Sequence, residues 1–264
     1  MGSIGMGEVS CYDPPPLTLR DSLSVPDQSI REWRELSEDT NETEQTKYEI
    51  EMGSRYCIQC QKAHKACLCS TIVPLSSAIE LIILQHPTEV RKPTGTASIL
   101  TLSLENAVCL IGENFTQDDT LSALLNETDV AHFVLFPGEG SASINDIPLP
   151  SPSQRYRVIL LDGTWKKAYK MWQLSTILHE LPRLHLPGPL QSRYRIRKAP
   201  RDNCLSTVEA GYHVLSNWQP DQDFSPLLHS FEQMIQFQLA QMPPEVRQRY
   251  FHGTHVYQGT HLSI

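Results

Sequence analysis

No run of apolar residues in this chain reaches the length of about 18 that would cross a bilayer, so no membrane-spanning helix is expected. The opening MGSIGMGEVSCYDPPP lacks the basic and apolar regions of a secretory signal. Gly2 fits a myristoylation signal, but Met6 stands where that signal wants Ser or Thr. An evenly spread cysteine framework is missing too. Of seven cysteines, four crowd into residues 57–69 and three are scattered at 11, 109 and 204. Secreted disulfide scaffolds spread an even set through a shorter chain, so this pattern suits a reducing compartment and metal binding. Together these absences predict a cytoplasmic protein. Internal repeats are absent as well.

The chain also lacks an overall excess of positive charge. Its formal net charge is −8, which at first sight disfavours a nucleic-acid partner. The charge is uneven, however. Residues 1–55 hold twelve acids and five bases, whereas residues 155–201 hold eleven bases and only two acids, Asp162 and Glu180. Half of all Lys and Arg therefore lie in that one segment, which can neutralise phosphates whatever the total charge. A solvated face balanced by acids from elsewhere is the plain alternative.

What is present reads as four segments. Residues 1–54 form an acidic extension with little hydrophobic periodicity. Residues 55–72 carry the cysteine cluster, residues 73–242 a main domain, and residues 243–264 a C-terminal tail. In the main domain, apolar runs at 78–85, 107–111, 132–136 and 158–161 read as strands, with a short one at 184–186. Helical patterns lie between them at 95–104, 121–127 and 164–174, and again at 227–242, where Pro243-Pro244 follows. Ser206 and Glu209 form an S-x-x-E capping box opening a further helix. The alternation predicts an α/β domain with a mostly parallel sheet. His86-Pro87, Pro137-Gly138 and Asp162-Gly163 all fall at strand ends, where such sheets bind ligands.

Cys57, Cys60, Cys67 and Cys69 give C-x2-C-x6-C-x-C. Four thiolates suit tetrahedral zinc, and a closed four-ligand set is structural rather than catalytic. His64 could replace one thiolate, and reduced, metal-free thiols are the plain alternative.

Five motifs in order, namely this cysteine cluster, HPTEVRKPTGT (86–96), LFPG (135–138), LDGTWKKAYKM (161–171) and YRIRKAPRDNCLSTVEA (194–210), resemble the DTW-domain family. Its Asp-x-Thr-Trp signature stands here as Asp162-Gly163-Thr164-Trp165. The resemblance covers about residues 55–242 and implies a SPOUT-like sheet with helices on both faces and a C-terminal knot that binds the cofactor. It implies S-adenosylmethionine as co-substrate and tRNA as partner, with the 3-amino-3-carboxypropyl group transferred to a uridine N3.

That chemistry needs a base for the N3 proton. Asp162 is the candidate, although an Asp after a strand also commonly caps the next helix. Thr164 completes the signature, and Trp165 either stacks on a base or packs in the core. Phe136, Pro137, Gly138, Leu186, Pro187, Leu205, Ser206, Thr207 and Glu209 are expected to border the cofactor, the last three at a helix N-terminus that can face an anion. His86, Glu89 and Arg91 belong by resemblance to the rim of the site. Lys166, Lys167 and Lys170, with Arg193, Arg195, Arg197 and Arg201, are expected to contact RNA phosphates.

Overall fold

The computed structural model describes residues 55–150, 154–188, 190 and 205–251. The acidic extension and Arg193, Arg195, Arg197 and Arg201 lie outside the described residues. The sheet is built from β1 (Ile79–Gln85), β2 (Ala107–Ile111), β3 (Val130–Leu135), β4 (Ala142–Ser143), β5 (Arg155–Asp162) and β6 (Arg183–His185). Their spatial order is β2-β1-β5-β3-β6-β4, and every pairing is parallel.

The uninterrupted apolar run of β1 is explained by burial on both faces. Ile79, Leu81 and Ile83 point into one core with α1 (Ala97–Ser103), α4 (Thr207–Trp218) and α5 (Ser225–Ala240). Ile82 and Leu84 point into a second core on the opposite face. There they meet Leu121 of α2 (Asp119–Leu125) and Met171 and Trp172 of α3 (Trp165–Leu174). Helices thus cover both faces, as expected.

Local chemistry sets the element ends. Asp118 caps α2 by accepting from the Leu121 N–H at 2.7 Å. Ser206 caps α4, and its own N–H donates to Glu209 at 2.8 Å, which completes the expected box. Gly211 lets α4 lie close to α1, since a Cβ there would sit 2.8 Å from the Leu100 Cδ2. Pro243-Pro244 ends α5 but also opens another helix, α6 (Pro244–Phe251), so the C-terminal tail begins with ordered structure.

β5 starts at Arg155, earlier than the apolar run suggests. Arg157 is buried in it and bonds Glu80 of β1 at 2.7 Å and Glu127 at 3.0 Å. A charged residue reads as a strand boundary in the sequence, whereas here two carboxylates from neighbouring segments satisfy it.

Candidate active site

Residues 56–63 fold into a tight knuckle. Tyr56 and Ala63 form an antiparallel bridge, the Cys57 N–H donates to the Lys62 carbonyl at 2.8 Å, and the Gln61 N–H donates to the Cys57 carbonyl at 2.9 Å. Gln61 takes a left-handed backbone (φ 55°) to close the turn. The four cysteine sulfurs lie within 4.8 Å of one another, with Cys57 to Cys69 at 3.5 Å and Cys60 to Cys67 at 3.7 Å. Tetrahedral zinc with bonds of about 2.3 Å requires sulfur separations of about 3.8 Å, so the set fits that ion. His64 is exposed and stands outside the group, so the four thiols suffice. The backbone N–H of Cys60 lowers the Cys57 pKa to about 6, while burial, followed by the neighbouring thiols, pushes Cys69 up. Four crowded thiols cannot all ionise without a cation among them.

The knuckle reaches the segment that follows β1 through Lys62, whose ammonium donates to the Lys92 and Gly95 carbonyls. β1 and β5 pair through Gln85 and Asp162. From β1 the chain leaves through α1 on one face, and from β5 it leaves through α3 on the other. β1 and β5 thus meet at a topological switch point, the place where open α/β sheets bind ligands.

Asp162 is buried at this point. The Gln85 Nε2 donates to its Oδ2 at 2.7 Å, and the Thr207 hydroxyl, from the first turn of α4, donates to its Oδ1. Asp162 does not cap α3. Thr164 does, accepting from the Lys167 N–H at 3.4 Å, so that alternative for Asp162 is removed. Gly163 lies close to α3, since a Cβ there would sit 3.2 Å from the Lys167 Cβ. Trp165 is half-buried at the start of α3 and belongs to neither core.

Around Asp162 the charges are paired. His86 accepts from the Thr88 N–H at its Nδ1, which leaves Nε2 to donate to Glu113 at 3.0 Å. The other Glu113 oxygen accepts from Lys170 at 2.9 Å. Lys170, then His86, holds the Glu113 carboxyl below its ordinary range. Glu89 is buried and bonds Lys92 at 2.7 Å and Lys167 at 2.9 Å. Burial opposes its ionisation, but the two ammonium groups outweigh burial and keep its pKa below the usual carboxylate value. Lys166 and Arg91 are exposed.

The loops after β3 and β6 lie side by side. The Phe136 ring stacks on Trp172 at 4.6 Å, and its N–H donates to the Leu184 carbonyl at 3.0 Å. Pro137 and Gly138 therefore begin a loop anchored from below. Gly138 has φ 152°, and Ser141 closes the loop by donating to the Gly138 carbonyl at 2.7 Å. Leu186 and Pro187 are half-buried just beyond β6, and Leu205 and Ser206 lead into α4.

Three residues join this surround that sequence reading did not single out: Gln85, Glu113 and Lys62. Gln85 was hidden as the polar end of an apolar run. Lys62 is buried, and its ammonium donates to the carbonyls of Lys92 at 2.6 Å and Gly95 at 2.8 Å. Burial lowers its pKa to about 8 against the pull of Cys60 and Asp162. Its place two residues after Cys60 was the available signal.

The fold and site define a three-layer α/β protein with a buried polar cluster at the switch point of its parallel sheet and a four-cysteine metal-type knuckle. The DTW-domain family model matches residues 54–239, and the chain belongs to that family. It is 30% identical over 190 residues to a Macaca fascicularis protein named tRNA-uridine aminocarboxypropyltransferase 2, covering 69% of this chain and 63% of that one. The Mus musculus protein of the same name is 28% identical over 188 residues, with coverage of 69% and 63%. An Arabidopsis thaliana protein named tRNA-uridine aminocarboxypropyltransferase A is 25% identical over 244 residues, covering 80% of this chain and 90% of that one. The chain thus spans 63% of the length of the first two relatives. No solved structure matches it.

Proposed function

We propose that this chain is a tRNA-uridine aminocarboxypropyltransferase that uses S-adenosylmethionine and acts in the cytoplasm. The names of its relatives support the reaction class. The observation that carries the reading for the site is Asp162 of the DTW signature, buried at the switch point with both oxygens oriented. Uridine N3 forms a bond to the γ-carbon of the methionine moiety. The carbon–sulfur bond breaks, its electron pair stays on sulfur, and methylthioadenosine leaves. The N3 proton passes to the Asp162 carboxylate. Gln85 and Thr207 hold that carboxylate still, and alignment supplies much of the acceleration.

S-adenosylmethionine is assigned to the loops at 136–138 and 186–187 and to residues 205–209 at the start of α4. Trp165, free of both cores, is assigned to stacking on the uridine or the adenine. The C-terminal SPOUT-like knot that the family resemblance implies belongs to this proposal. On the RNA side, His86, Glu89 and Arg91 rim the site, while Lys166, Lys167 and Lys170 meet phosphates, joined by Arg193, Arg195, Arg197 and Arg201. Cys57, Cys60, Cys67 and Cys69 would hold a structural zinc. A bound zinc there has no open position and takes no part in transfer.

The test is mass spectrometry of nucleosides and small molecules after incubation with S-adenosylmethionine and unmodified tRNA. Methylthioadenosine with an aminocarboxypropyl uridine is the expected outcome. S-adenosylhomocysteine with a methylated base would overturn the reading in favour of a methyltransferase. Absence of any product across several RNA classes would favour a non-catalytic RNA-binding protein.

A further inference from the structure

Lys62 belongs to two structures at once. Its carbonyl receives the Cys57 N–H and so closes the cysteine knuckle, while its ammonium closes the turn between Lys92 and Gly95. The same turn is closed by a backbone bond from the Gly95 N–H to the Lys92 carbonyl at 3.0 Å. The next residue, Thr96, is buried and accepts the Val208 N–H at 3.3 Å. Val208 follows Thr207, whose hydroxyl holds Asp162. A continuous set of bonds therefore leads from the knuckle through Lys62 and the 92–96 turn to the start of α4 and the candidate base. A buried ammonium is an expensive way to hold a turn unless its donors are used, and two of its three are spent on these carbonyls.

We propose that Lys62 is a positioning residue through which metal occupancy of the cysteine knuckle sets the geometry of the 92–96 turn and of the α4 N-terminus. The ion fixes the knuckle backbone, the backbone aims the Lys62 ammonium, and the ammonium fixes the turn against Val208. The knuckle is then a condition for an ordered cofactor site rather than an independent stabilising module. The link to S-adenosylmethionine rests on the function proposed above, while the link to the turn does not.

The experiment compares hydrogen exchange in the zinc-loaded and zinc-stripped full chain, for the wild type, Lys62→Met and Lys62→Arg, at peptides covering 92–96 and 206–210. Metal content, the unfolding midpoint and S-adenosylmethionine binding are measured alongside. Stripping the wild type should speed exchange in both peptides by about tenfold or more. Lys62→Met should keep one zinc per chain yet show the fast exchange already, with no further change on stripping and with weaker S-adenosylmethionine binding. Lys62→Arg, whose guanidinium can still donate to both carbonyls, should restore protection. Wild-type protection that survives stripping would overturn the proposal, as would an equal response to stripping in Lys62→Met. If Lys62→Met fails to fold, the stripped wild type and Lys62→Arg decide the matter alone. Exchange changes without S-adenosylmethionine binding would sustain the coupling while sinking the functional reading.

Discussion

At the scale of single residues, the candidate site depends on how each charge is held. Asp162→Asn keeps the shape but offers an amide N–H to one of two donors, Gln85 or Thr207, and cannot take a proton. We expect turnover to fall by about 10²–10⁴-fold, with S-adenosylmethionine affinity changed far less, as read by single-turnover kinetics and calorimetry. Glu89 makes a different prediction. Its pKa is depressed in the folded chain, so its stabilising contribution is full above its unfolded pKa of about 4.3 and is lost as pH falls through the lower folded value. The stability gap between the wild type and Glu89→Gln in urea titrations should therefore be largest near neutral pH and shrink below about pH 4. A gap that widens in acid would refute this pairing. Asp162 was legible in the sequence because its neighbours spell a signature. Gln85 and Lys62 were not, because strand register and the path of a long side chain emerge only once distant segments meet.

At the scale of elements, the apolar runs marked β1, β2, β3 and much of β5 directly; burial on both faces explains β1 and β5, whereas β2 is an edge strand that leaves Val108 and Ile111 exposed. The two-residue β4 left no such mark. It pairs through Ala142 and Ser143 alone and depends on β6 beside it. The N-terminal half of β5 was obscured by Arg155 and Arg157, whose partners, Glu80 and Glu127, lie far off in sequence. Close packing of α4 against α1 was also invisible, although it rests on a single glycine. Gly211→Val would drive a branched side chain into Leu100 and Leu81, both fully enclosed. A stability loss of about 1–3 kcal/mol is expected, read as a lower denaturation midpoint with an unchanged slope.

Across the whole molecule, the basic segment is less available than its composition suggests. Arg155 and Arg157 are engaged by Glu80 and Glu127, and Arg183 packs over Trp172 and bonds the Glu139 carbonyl. Lys167 and Lys170 already hold carboxylates that an incoming phosphate must displace. Exposed Lys166 is the cleaner reporter. If it meets a phosphate, Lys166→Ala should weaken tRNA binding and reduce the salt slope of log affinity by about 1. An unchanged slope would place the RNA elsewhere.

The strand order carries a consequence for how the chain is made. β5 lies between β1 and β3, yet it is synthesised after both. Until residues 155–162 emerge from the ribosome, the earlier strands have no common neighbour, and the left and right parts of the sheet cannot join. The last strand to reach the centre therefore commits the fold. Nascent chains halted before residue 155 should be protease-sensitive throughout, whereas chains released well beyond it should acquire resistance in one step.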